Sequence, residues 1–103
     1  MSKPLDPKFY SRADAFIHLA NDQYKNNDVG RGEVCASFMY GAARFNAWLS
    51  AREYESGAEM QDAKDATIES FVAQYRAMLA DHFSDYIANF DKYMGKNKVP
   101  PNA

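Results

Sequence analysis

A single cysteine, Cys35, stands among the 103 residues, so no disulfide can close within the chain and no cysteine-based metal site can be assembled. That scarcity suits a reducing compartment. No apolar stretch approaches the roughly 18 residues that a membrane span requires. The opening residues, Met1 to Pro7, carry no apolar core of a signal peptide. A soluble, cytoplasmic chain is the expectation. Runs of one charge sign are also missing, and the formal net charge is only −2. Binding nucleic acid needs clustered Lys and Arg to neutralise phosphates. The sole basic group, Lys92, Lys96 and Lys98, reads as a solvated tail complementing a helix C-terminus. There is no internal repeat and no low-complexity tract.

Motifs that carry chemistry are equally scarce. The two histidines lie near carboxylates without forming a familiar ligand set. Asp14, His18 and Asp22 share one helix face by their four-residue spacing, but that face lies opposite the apolar stripe and belongs in water. His82 sits between Asp81 and Asp85, and no Glu-x-x-His pair accompanies it as a di-iron bundle would need. Cys35 falls in the first turn of a helix and reads best as a small packing residue. Ser37 and Ser50 lack the context of a nucleophile elbow. No catalytic residue, metal ligand or cofactor is expected.

What the chain does have is hydrophobic and aromatic surface. The hydrophobic fraction is 47% and the charged fraction 25%, which is globular composition and argues against disorder. This length fits one helical domain over residues 7–95, with an arm at 1–6 and a tail at 96–103. Aromatic content of 15% exceeds what a small helical core normally uses. The surplus points to half-buried tyrosines or an interface.

The periodicity is that of an all-α bundle of three to four helices. Asp6-Pro7 supplies an N-cap and a proline at the start of a helix over about 7–25. Its apolar residues Phe9, Ala13, Phe16, Ile17, Ala20 and Tyr24 form one stripe. Asn26-Asn27-Asp28 and Gly30 end it. A second helix over about 32–54 buries Val34, Phe38, Ala42, Phe45 and Leu49, while its far side is nearly uncharged except for Arg44. Such a helix is either central or contacted by another chain. Gly41, beside Ser37 and several alanines, suggests close approach of another helix.

Ser56 with Glu59 forms a capping box for the last segment. From there the apolar rhythm runs from Met60 to Met94 without Gly or Pro until Gly95. A single rod of that length, roughly 55 Å, exceeds what a domain of this size can cover. Either it bends near Ala80 to Ser84, giving helices over 57–80 and 82–94, or its far end packs on a second copy. The bend is the preferred reading, because Asp81 and Ser84 are cap-type residues. Residues 57–94 carry three Lys and Arg against seven Asp and Glu, whereas residues 1–56 balance. Those acids read as a solvated face.

Two features admit a ligand. Gly30-Arg31-Gly32 places free backbone N–H groups and a fixed cation at a helix start, which is the physics of an anion site. A plain interhelical turn is the competing reading, and Glu33 beside it would repel a phosphate. Arg44, alone on an apolar helix, must snorkel, pair with a carboxylate or hold an acidic ligand.

The stretch Phe9-Tyr10-x-Arg12-Ala13-Asp14-x-Phe16-Ile17-x-Leu19-Ala20-Asn21 is followed by Gly30-Arg31-Gly32 and Ala36-Ser37-Phe38-Met39-Tyr40. Further on come Ala43-Arg44-Phe45-Asn46-Ala47-Trp48, Phe71-Val72-x-Gln74-Tyr75-Arg76 and Asp85-Tyr86-Ile87-x-Asn89-Phe90. In these runs the chain resembles a family of short, mostly proteobacterial, all-helical proteins catalogued as a domain of unknown function. The resemblance implies a bacterial cytoplasmic origin and a helical fold. It implies no activity, substrate or site residue. Gly41 stands where the resemblance leads one to expect alanine.

Three functional readings follow. The first is a non-enzymatic helical protein that self-associates, as a homodimer, through helix 2 and the C-terminal segment. Tyr40, Gly41, Arg44, Trp48, Tyr86 and Phe90 are its candidate interface residues, and another protein as partner is compatible with it. The second is an anion-binding module using Gly30, Arg31, Gly32 and Arg44. The third is an enzyme relying on carboxylate acid–base chemistry.

Overall fold

Each long helix starts where a side chain takes up backbone N–H groups that the first turn leaves unpaired. In the computed structural model, which describes residues 6–26 and 28–95, four α-helices appear among the described residues. They are α1 (Phe9–Asn26), α2 (Arg31–Ala51), α3 (Gly57–Ala88) and α4 (Phe90–Met94). The protein is all-α, as its periodicity requires. The expected arm and tail, Asp6 apart, lie outside the described residues, and so do Lys96, Lys98 and Asn27.

The chain groups into two compact units that divide within α2, between Ala42 and Ala43. In the first, Asp6 opens α1. Its carboxylate accepts from the Lys8 N–H at 3.0 Å and from both terminal nitrogens of Arg12, at 3.0 and 2.6 Å. The guanidinium holds the Asp6 carboxyl below its ordinary value. Along α1, Ala13, Ile17, Ala20 and Tyr24 are half-buried, as the stripe demands, but Phe9 and Phe16 are exposed. Val34, at 8% exposure, is the one buried hydrophobic residue among those described. Among the described residues the wider core face expected on α2 is not covered: Phe38, Phe45 and Leu49 are all exposed.

The second unit holds the end of α2, then α3 and α4. Between α2 and α3 the chain turns through Glu53 and Tyr54, whose N–H groups donate to the carbonyls of Ser50 and Ala51. The helix therefore stops three residues before the expected boundary. Ser56 caps α3 by accepting from the Glu59 N–H at 3.1 Å. Glu59 reaches back in turn, but to the N–H of Glu55. Beyond this cap α3 runs unbroken for 32 residues, about 48 Å at 1.5 Å per residue.

The expected bend near Ala80 to Ser84 is therefore absent. Asp81 and Ser84 are exposed, and neither diverts the backbone. The helix breaks later, at Asn89, whose φ is −119°. The Asn89 side-chain nitrogen donates to the Asp85 carbonyl at 3.1 Å and to its carboxylate at 2.9 Å. An asparagine that draws back on the preceding turn stops a helix more effectively than exposed residues that merely favour caps. Helix α4 then closes on Gly95, whose N–H donates to the Asp91 carbonyl.

Candidate interaction surface

Apolar residues recur along the whole of α3, but in its second half none of the described residues of the unit covers them. From Val72 to Asp85 every residue is exposed. Val72, Tyr75, Met78, Leu79 and Phe83 keep 40–61% of their surface in water. Leaving a large aliphatic or aromatic side chain exposed forgoes roughly 1.5–3 kcal/mol each. Helical propensity alone does not hold such a rod straight, since most helical stability comes from packing an apolar face.

The first half of α3 is better sheltered. With the last turns of α2 it forms an apolar groove of about 420 Å³. Ala43, Asn46, Ala47 and Ser50 line one wall; Met60, Lys64, Ile68 and Phe71 line the other. Tyr54 also lines it, its hydroxyl 3.3 Å from that of Thr67. The small side chains on α2 leave the space between the walls unfilled, and the groove stays open.

The remaining interface candidates are placed as follows. Tyr40 is 74% exposed, and nothing among the described residues lies within 4 Å of where a Gly41 side chain would begin. The close approach expected at Gly41 is thus not made within the chain. Trp48 is exposed, 5.4 Å from the Phe45 ring, with the Arg52 guanidinium over its face at 5.4 Å. Arg44 is exposed and, among the described residues, in no ion pair. Water solvates it there, so no partner is forced on it.

Tyr86 and Phe90 belong to the corner between α3 and α4. The Tyr86 and Tyr93 rings are 4.7 Å apart, and the Tyr93 hydroxyl donates to the Asp85 carboxylate at 3.1 and 3.3 Å. That carboxylate raises the Tyr93 phenol above its ordinary value of 10.0. Asp85, Asn89 and Tyr93 follow one another at four-residue steps, a spacing that places all three on one face. That spacing was the available signal for this corner.

At the Gly30 turn the anion position has an occupant from the chain itself. The Gly30 N–H donates to Glu33 Oε1 at 2.9 Å, as the third residue of a helix does in a capping box. A side chain at position 30 would begin 3.1 Å from that oxygen, so glycine fits the contact. Arg31 is stacked on the Tyr24 ring, 4.6 Å from its centroid, and Gly32 has open space around it. His18, Cys35 and His82 are exposed. Among the described residues no group of three or more His, Cys, Asp or Glu could hold a metal ion. No helix among the described residues is long and apolar enough to cross a membrane.

An all-α chain with an uncovered apolar face is a class of structure rather than a function. Within that class the chain belongs to the family described as a protein of unknown function, DUF3144, whose model matches residues 9–87. It is similar to a solved structure, the NMR structure of the protein NB7890A from Shewanella sp. The two are 39% identical over 94% of this chain and 100% of that one, with a TM-score of 0.75. No curated protein matches it.

Proposed function

We propose that this chain is a non-enzymatic, self-associating helical protein whose working form is a homodimer. One observation carries the reading: α3 from Val72 to Asp85 is exposed at every residue while bearing Val72, Tyr75, Met78, Leu79 and Phe83. A helix of that composition is at home in an interface and costs free energy in water. The exposed Tyr40, Phe45 and Trp48 on α2 add aromatic anchors of the kind that dominate interface energetics. Closed two-fold association is the commonest way for one chain to cover its own apolar surface.

The competing reading, an anion bound at Gly30-Arg31-Gly32, meets an N–H already taken by Glu33 and a guanidinium held on Tyr24. Both features favour a capped turn. The homodimer reading is tested by thermal melting over a hundredfold range of protein concentration. A dimer's melting temperature rises with concentration by mass action. A melting temperature that stays constant would sink it. Adding phosphate and small carboxylates in the same melts separates the two readings. An anion site would raise the melting temperature, and Arg31→Ala or Arg44→Ala would abolish the rise.

A further inference from the structure

Exposed Ile68, Val72, Tyr75 and Leu79 on α3 recur at alternating steps of four and three, and Gln61, Asp65, His82 and Tyr86 continue that spacing on either side. This is the seam of an antiparallel or parallel coiled coil, with flanks on either side. One flank carries Asp62, Glu69, Arg76 and Phe83; the other carries Lys64, Phe71, Met78 and Asp85. Among the described residues neither Glu69 nor Arg76 is in an ion pair.

We infer that α3 pairs antiparallel with α3 of a second copy about a two-fold axis between Val72 and Tyr75. The inference rests on the homodimer reading and specifies its interface. In that register Ile68 packs on Leu79 of the second copy, Val72 on Tyr75, and Asp65 meets His82. The same register sets Glu69 against Arg76 and Lys64 against Asp85 along the two flanks, and Phe71 against Met78. Both cations that α3 carries thus face an acid, and each half of the helix covers the other copy's opposite half. A parallel pairing would instead set Asp65 against Asp65 and His82 against His82 within the seam. The two Asp65 carboxylates so placed disfavour association. The antiparallel register also lays the uncovered second half of one α3 into the other copy's groove. There Ile68, Phe71 and Val72 already line one wall.

The test uses disulfide cross-linking in a Cys35→Ala background, which removes the only native thiol. A chain carrying both Ile68→Cys and Leu79→Cys is expected to oxidise to a covalent dimer, while each single variant stays unlinked. The two positions lie about 16 Å apart on one helix, too far to close within a chain. Self-linking of the single variants would mean parallel pairing and overturn the inference. A dimer in solution whose double variant does not link would overturn it too, leaving self-association standing. A monomer would overturn both. A second measurement does not depend on oxidation. Glu69→Arg and Arg76→Glu should each weaken the dimer about tenfold, and the two together should restore it to within about threefold. Additive weakening in the double variant would contradict the register.

Discussion

Helices α1 and α3 begin alike and end up in different situations. Each starts on a side-chain cap, Asp6 in one and Ser56 in the other, and each carries apolar residues along its whole length. Along α1 the apolar stripe is half-buried at Ala13, Ile17, Ala20 and Tyr24, with Phe9 and Phe16 exposed. Along α3 from Val72 to Asp85 no residue reaches even that state. Periodicity tells which face of a helix avoids water, not which molecule removes it from water. Length makes the difference. A helix of 18 residues can be served by one neighbour, whereas one of 32 outruns what the rest of a small chain can supply.

The largest expected effect sharpens this contrast directly. Leu79→Asp on α3 should raise the dimer dissociation constant about a thousandfold, because the loss is counted once per copy. Leu19→Asp on α1, also at an exposed leucine, should change it less than about threefold. Equal effects, read by sedimentation, would erase the comparison. Trp48→Asp comes next, with weakening of about a hundredfold if the α2 aromatics share the interface. Full association by that variant would confine the interface to α3.

Smaller effects concern the caps that the two helices share. Ser56→Ala should cost about 1 kcal/mol and lower the melting temperature by several degrees. An unchanged melt would show that α3 is held by contacts and not by its first turn. At α1 the consequence is one of pH. Arg12 holds the Asp6 carboxyl below its ordinary 3.8, so the contribution of this pair is present above that value. It is lost as the pH falls through the lowered value. Fraying at the start of α1 should therefore appear only in strong acid, and Asp6→Asn should produce it at neutral pH. Backbone amide shifts of residues 8–12 would report it, and pH-independent shifts would contradict the assignment.

How much was legible can be judged from particular residues. The all-α fold, the Ser56 cap, the turn after α1 and the half-buried stripe of α1 all follow from local chemistry, and sequence carries local chemistry well. The bend did not follow. Asp81 and Ser84 have the right residue types, but the break falls at Asn89, where Asp85 and Tyr93 converge through contacts four residues apart. Nor was the exposure of Phe38, Phe45 and Leu49 legible, since an apolar pattern looks the same whether a chain buries it alone or against a partner. At the Gly30 turn the residue types of an anion site were readable, but Glu33 taking the Gly30 N–H was a matter of geometry.

The most direct measurement is the absolute mass in solution, by light scattering on a sizing column across a hundredfold range of concentration. A particle of twice the 11.7 kDa chain mass, persisting on dilution, is the predicted result. A particle of the chain mass at every concentration would contradict the account, because α3 would then have to keep its apolar face in water unaided.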